Sequence, residues 1–319
     1  MAVNQQQSEE QTVISTVGGD LQDVAERRLG RLLVAPGQLL LLLLVLFPLI
    51  MEVYISLTTW SPTGGTDWYM AYRDWTWFSN YWEGITSSSF IQAIVRTIII
   101  TVVAVALEFF LGFWLAVLYA ERFPLKRIFT VLMLIPMMVV PAVSGFVFFL
   151  LLQSDGPINQ ILSLVWPGDV SIAWLTSPIW APISVIVVDV WQWTPLMFLI
   201  LLSGLLAVPE DQMNAAGILG ASWRFRLRTL VIPMMKPIMV IALIIRAMEA
   251  FKIFDAAWLL TQGGPGEAST TISVLLYRDA FLSSQWSSVA ALAIIVLVGI
   301  SLVASRAIRP LEAGQEGAS

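Results

Sequence analysis

The sequence predicts an all-α integral membrane protein with six transmembrane helices and a short cytoplasmic helix between helices 4 and 5. Of its 319 residues, 58 % are hydrophobic and only 12 % are charged, and the mean hydropathy is +0.81. This composition supplies too few polar side chains to coat a water-soluble domain. The apolar residues also form long uncharged runs, which are typical of membrane-spanning helices.

Six such runs follow one another along the chain, and each approaches or exceeds the roughly 20 residues that a helix needs to cross a bilayer. They cover residues 32–57, 91–120, 128–153, 183–206, 230–254 and 287–305. None alternates polar and apolar residues with period two, so membrane-spanning strands are excluded.

The distribution of cations predicts the orientation. Twelve of the 17 lysines and arginines fall in the tails or in the loops on one side, and such residues collect in cytoplasmic loops. Most of the 14 tryptophans fall on or near the other side, where an aromatic belt would lie. We therefore expect a multi-pass membrane protein, surrounded by lipid, with a transmembrane domain over residues 31–309 and cytoplasmic tails at 1–30 and 310–319.

The missing residue types make catalysis by this chain improbable. It contains no histidine and no cysteine, which excludes histidine-based triads and thiolate metal sites. None of the three lysines precedes Ser or Thr, so no phosphate-binding GxxxxGK[ST] loop exists. We predict no catalytic residue, no metal, no cofactor and no nucleic-acid partner.

The loop between the fourth and fifth runs predicts a short helix. Pro209 suits its first turn, acidic Glu210 and Asp211 suit its positive end, and Gly220 can adopt the left-handed conformation that ends it. Its surface would be formed by small residues, namely Asn214, Ala215, Ala216 and Gly217. Such a surface can enter a groove on another protein, but a re-entrant turn between two spans would explain it equally well.

This loop resembles the EAA loop of a known family, the permease subunits of ATP-binding-cassette (ABC) importers for sugars, of the maltose-transporter type. The matching residues are Asn214-Ala215-Ala216, Gly220 and Val231-Ile232-Pro233. Further matching pieces are Phe78-Ser79-Asn80-Tyr81, Gly112, Pro136, Gly156-Pro157-Ile158-Asn159, Trp191, Pro195, Phe254-Asp255 and Leu260-Thr261-Gln262-Gly263-Gly264-Pro265. Two positions depart from the family pattern, since Asn214 replaces its usual Glu and Leu219 replaces its usual Asp.

The resemblance implies a multi-subunit importer of a bacterial or archaeal cell (inner) membrane. The chain would pair with a second homologous permease, two cytoplasmic ATPase subunits would dock on the loop, and an extracytoplasmic solute-binding protein would deliver a sugar or polyol. ATP hydrolysis would then occur on the separate ATPase subunits. The positions implied to couple to them are Asn214, Ala215, Ala216, Gly217 and Gly220.

Charged residues inside the predicted spans suggest where the solute passes, because such residues are costly in lipid and should face protein or a watery cavity. Asp189, Trp193 and Leu196 lie on one stripe of the fourth span. A carboxylate with an indole suits a sugar, which has both hydroxyls and an apolar C–H face. By resemblance, the sugar-contacting positions are Asp189, Trp193, Leu196, Glu249, Ala250 and Ile253.

Two alternatives follow from the same residues. Arg246, Glu249 and Lys252 recur every three residues, so they could instead neutralise one another within the bundle. An ion-coupled secondary transporter could use Asp189 or Glu249 as a proton carrier, although we find no inverted repeat typical of that class. A membrane enzyme is a further alternative, but the sequence contains no catalytic motif that would support it.

Overall fold

The computed structural model describes residues 33–121, 123–166 and 171–316. In these residues the only β-structure is one isolated bridge between Thr58 and Trp75, so the predicted all-α class is confirmed. The helices of the first half are α1 (Leu33–Ser56), α2 (Ser79–Thr86), α3 (Ser88–Ala120), α4 (Lys126–Met138), α5 (Pro141–Leu151) and α6 (Pro157–Val165), with a 3₁₀-helix at Trp68–Asp74.

The second half contains α7 and the segment between the fourth and fifth runs. Its helices are α7 (Trp180–Leu206), α8 (Glu210–Ile218), α9 (Trp223–Arg226), α10 (Ile232–Phe251), α11 (Asp255–Thr261), α12 (Ile272–Tyr277) and α13 (Trp286–Glu316), with π-helical segments at Leu227–Val231 and Arg278–Leu282. Helix α13 therefore continues through residues 310–316 of the predicted tail. The predicted tail at 1–30 lies outside the described residues.

Five helices of the described chain are long and apolar enough to cross a membrane, and a sixth crossing results if α4 and α5 form one broken span. The five are Leu33–Ser56, Ser88–Ala120, Trp180–Leu206, Trp223–Phe251 and Trp286–Ala307. The chain divides into two compact units after Ile55. Residues 33–55 of α1 form the described part of the first unit, and Ser56 and the other helices belong to the second.

The third predicted span is not one continuous helix. Helices α4 and α5 meet at an angle of 96°. The residues between them, Val139 and Val140, have ψ angles of 134° and 133°, and Pro141 begins α5. Proline disfavours the α conformation in the residue before it and has no N–H to continue a helix, which explains the break.

Helices α3, α7 and α10 form the centre of the second unit, and α3 packs most extensively against α7. Gly112 permits this close packing, because a Cβ there would lie 2.9 Å from the backbone nitrogen of Phe198. The apolar cluster around it includes Phe113, Met197 and Met235. This three-helix centre places side chains from distant parts of the sequence in contact.

Two buried asparagines anchor the loops at one end of these helices. The Asn80 side chain donates to the carbonyls of Ser56 and Thr58 at 2.8 and 2.7 Å. The Asn159 side chain donates to the carbonyls of Ser154 and Ile172, and its oxygen accepts from the Trp174 indole. Burying polar groups is favourable only when they are hydrogen-bonded, so both asparagines fix loop geometry.

Candidate functional site

Three charged side chains meet at the centre of α3, α7 and α10. Arg246 donates through Nε and Nη2 to the two carboxylate oxygens of Glu108, at 2.6 and 2.8 Å. Its Nη2 also donates to Asp189 Oδ2 at 3.0 Å. Glu108 is 0 %, Arg246 1 % and Asp189 5 % exposed. We call these three residues the buried triad; each comes from a different helix, so one guanidinium links all three.

The predicted aromatic residue Trp193 lies beside this triad. The guanidinium carbon of Arg246 is 5.1 Å from the centre of the indole ring, within the range of a cation–π contact. Trp193 is one helical turn after Asp189 on α7 and is partly buried. Gln192 points elsewhere, donating to the carbonyl of Val139 at the break between α4 and α5.

Glu249 differs from Asp189 in its surroundings. Its carboxylate is 3.0 Å from the Lys252 ammonium, and the two side chains are 54 % and 58 % exposed. Ala250 and Ile253 are buried in two different apolar clusters, and Leu196 is partly buried. The structure therefore joins Asp189 and Trp193 through Arg246, while Glu249 presents a carboxylate at the surface of this chain.

Part of this arrangement was not predictable from helical spacing. Arg246 does not pair with its neighbours on α10; it pairs with Glu108, which is 138 positions away. The sequence did indicate that Glu108 needs a cationic partner somewhere in the bundle, because an unpaired charge at bilayer depth is costly. Glu249 and Lys252 do pair, but they do so at the surface of the chain and without Arg246, so the expected three-residue network within the bundle does not form. The assignment of all six positions to sugar contact stays a prediction.

A short helix, α8, lies between the fourth and fifth runs. Pro209 precedes it with extended backbone, and Glu210 and Asp211 lie in its first turn. The N–H of Ala221 donates to the carbonyl of Ala216, and Gly220 has a φ of +80°. This is the left-handed ending that glycine adopts without strain. Pro209 thus flanks the helix instead of occupying its first turn.

The described chain buries no residue of α8. Asn214, Ala215, Gly217 and Gly220 are exposed and Ala216 is partly buried. The apolar side chains of Ile218 and Leu219 are each 87 % exposed. Two contacts hold the helix: Arg226 Nη1 donates to the carbonyl of Met213 at 3.3 Å, and the partly buried Met213 side chain packs against the central apolar cluster.

The loop after α11 forms a second structured surface. Glu267 lies 3.0 Å from Arg278 and 3.7 Å from Arg96, so it joins the loop to α3 and to the segment after α12. Ser269 and Thr270 are buried and donate to the carbonyls of Gly264 and Gly263. Burial raises the pKa of the nearby Asp279 carboxyl.

None of the described residues form a group of three His, Cys, Asp or Glu suited to holding a metal ion. The described contacts at the site are made by carboxylates, one guanidinium and an aromatic ring. Such groups recognise a ligand by hydrogen bonding and stacking.

Comparison with known proteins identifies the class of this chain. Residues 108–312 match the family described as the binding-protein-dependent transport system inner membrane component. The chain belongs to this family. The match begins at Glu108 of the buried triad and includes α7, α8 and α10, so the candidate site lies inside the family region.

Individual proteins agree with this membership. The chain is 40 % identical to a probable ABC transporter permease of Sinorhizobium fredii, over 77 % of this chain and 78 % of that protein. It is 34 % identical to the trehalose/maltose transport system permease of Thermococcus litoralis, over 74 % and 81 % of the two chains. The fold is similar to that of a bacterial alginate ABC transporter solved in complex with an alginate pentasaccharide-bound periplasmic protein, with a TM-score of 0.75, 19 % identity, and coverage of 91 % of this chain and 97 % of that chain.

The chain is thus an inner-membrane permease component of an ABC importer. Membership disfavours the ion-coupled secondary transporter, because components of this family act in binding-protein-dependent systems. It is a transport subunit and not an enzyme, and the ATPase is a separate subunit.

Proposed function

We propose that this permease translocates a sugar or polyol, received from an extracytoplasmic solute-binding protein, through a path that it encloses with a second homologous permease. The observation that carries the proposal is the combination of family membership with a helix, α8, that the described chain leaves unburied. The similarity to a trehalose/maltose permease supports the carbohydrate class.

We assign the energy coupling to α8. An exposed surface of small residues lets another protein approach the backbone closely, and Ile218 and Leu219 offer apolar area at its end. Two cytoplasmic ATPase subunits would bind this helix and its counterpart in the second permease. Their closure on ATP would move the two long apolar helices on either side of α8, which are α7 and Trp223–Phe251.

The orientation follows from the cations. Lys126 and Arg127 begin α4, and the arginines at 224, 226 and 228 lie in α9 and the π-helical segment after it; we place these helix ends in the cytoplasm with α8. Both termini then lie on that side. The loop around Glu267 faces the opposite side, where the binding protein docks.

The six predicted contact positions form the path in different ways. The Glu249 carboxylate is exposed and can accept hydrogen bonds from sugar hydroxyls. The indole of Trp193 can cover the apolar face of a pyranose, and the partly buried Leu196 can provide apolar surface beside it. Ala250 and Ile253 are buried in this conformation, so they would reach a sugar only after the helices move. Asp189 contributes from inside the subunit, because its carboxylate already accepts from Arg246.

Purification and transport test this function. The chain expressed with its partners should copurify with ATPase subunits, and proteoliposomes should accumulate sugar only with ATP and the binding protein. The sugar for this transport assay can be chosen by measuring which labelled mono- and disaccharides the binding protein retains. Uphill uptake by this chain alone would show an ion-coupled transporter, and ATP-driven uptake of a non-carbohydrate solute would reject the substrate class.

A further inference from the structure

The buried triad is an expensive way to hold three helices together. Removing each charge from water costs several kcal/mol, and replacing a buried ion cluster by well-packed apolar residues is often neutral or stabilising. Glu108, Asp189 and Arg246 are nonetheless almost fully enclosed by the described chain. A contribution to stability is therefore a weak explanation for these three charged side chains, and a role in orienting neighbouring side chains explains them better.

The triad orients the Trp193 indole, which the proposed path uses. The two hydrogen bonds that Arg246 donates to Glu108 fix the plane of the guanidinium, because a bidentate carboxylate leaves it little freedom to rotate. That guanidinium in turn lies against the Trp193 indole and holds the Asp189 carboxylate. Glu108 thus controls both α7 side chains through a single intermediate.

We propose that Glu108 is a positioning residue for the translocation path, acting through Arg246 to set the orientation of the Trp193 indole. This inference rests on the proposed function, which places Trp193 against the sugar. Glu108 is not among the predicted contact positions and, at 0 % exposure, it does not touch a solute in this conformation. Its effect on sugar affinity is indirect.

A spectroscopic experiment tests the positioning without any solute. The complex is labelled with 5-fluorotryptophan, and the ¹⁹F resonance of Trp193 is identified by its loss in Trp193→Phe. Glu108→Gln keeps the size of the side chain but loses its charge and one acceptor oxygen, so the Trp193 resonance should shift. The matched control is Glu267→Gln, which makes the same change in an ion pair of the outer loop and should leave that resonance in place.

A transport experiment tests whether the positioning matters. With the sugar that the binding protein retains, Glu108→Gln should lower the apparent sugar affinity in stimulated ATP hydrolysis about tenfold. Combining it with Trp193→Phe should add little further loss, because both changes act on one contact. An unshifted Trp193 resonance, or full additivity of the two changes, would overturn the proposal.

A variant without charges covers the case in which Glu108→Gln does not fold. The triple change Glu108→Leu, Asp189→Asn and Arg246→Met removes the ions together and leaves none unpaired, so it should assemble. It should show the same loss of sugar affinity. Assembly with wild-type affinity would reject the positioning role, whereas a wild-type complex without sugar-stimulated hydrolysis would reject the proposed function instead.

Discussion

The buried triad and helix α8 differ in where their side chains find contacts. Glu108, Asp189 and Arg246 find their partners within the chain, on three helices. Helix α8 has no buried residue in the described chain and exposes Ile218 and Leu219. Substitutions in the triad should therefore affect the folding and assembly of the permease, whereas substitutions on the exposed face of α8 should affect the binding of another subunit.

Arg246→Met should have the largest effect. It leaves two carboxylates buried without a cation, and breaking a buried pair in this way costs about 3–5 kcal/mol. We expect loss of the assembled complex, measured as the yield of monodisperse protein in detergent. Lys252→Met is the matched control, since its exposed pair with Glu249 contributes at most about 1 kcal/mol. Equal yields for both variants would contradict the distinction between the two pairs.

Gly220→Val should come next and should separate assembly of the permeases from coupling. A β-branched residue at a φ of +80° is strained by about 1–3 kcal/mol, so the end of α8 should change direction. We expect loss of the ATPase subunits on purification, with the two permeases still together. Gly220→Asn should retain the ATPase, because asparagine tolerates the left-handed conformation. If valine and asparagine behave alike, the backbone ending is not what matters.

Ala215→Trp should reduce stimulated ATP hydrolysis while costing the permease less stability than the two changes above. Ala215 is exposed, so the indole costs the isolated permease less than about 0.5 kcal/mol but would occupy space that a docking groove needs. Stimulated ATP hydrolysis should fall, while Ala215→Ser and Ser305→Trp, another exposed position, should leave it unchanged. Wild-type stimulation in Ala215→Trp would mean that this face of α8 contacts no subunit.

Asn214→Glu should have the smallest effect. It restores the residue that the resemblance associates with this position, and Asn214 is exposed, so the new carboxylate stays in water. We expect stimulated hydrolysis within twofold of wild type, a change worth about 0.4 kcal/mol. A large loss would show that the docking surface in this complex disfavours a negative charge.

The sequence was informative where physical patterns are local. Long apolar runs located the spans, and Pro209, the adjacent acids and Gly220 located α8 and its ending. The break before Pro141 was not predicted, because the whole run is apolar and composition does not report backbone direction. The partners of Arg246 were not predictable either, since tertiary packing, and not spacing along α10, selected Glu108 and Asp189.

Cross-linking from α8 tests the central claim most directly. The chain has no cysteine, so Gln212→Cys provides a single exposed thiol on this helix. In inside-out membrane vesicles, a short thiol-to-amine cross-linker should join this residue to an ATPase subunit, whereas Ser89→Cys, at the start of α3, should not capture it. Capture from Ser89→Cys but not from Gln212→Cys, or from neither, would contradict an importer driven through α8.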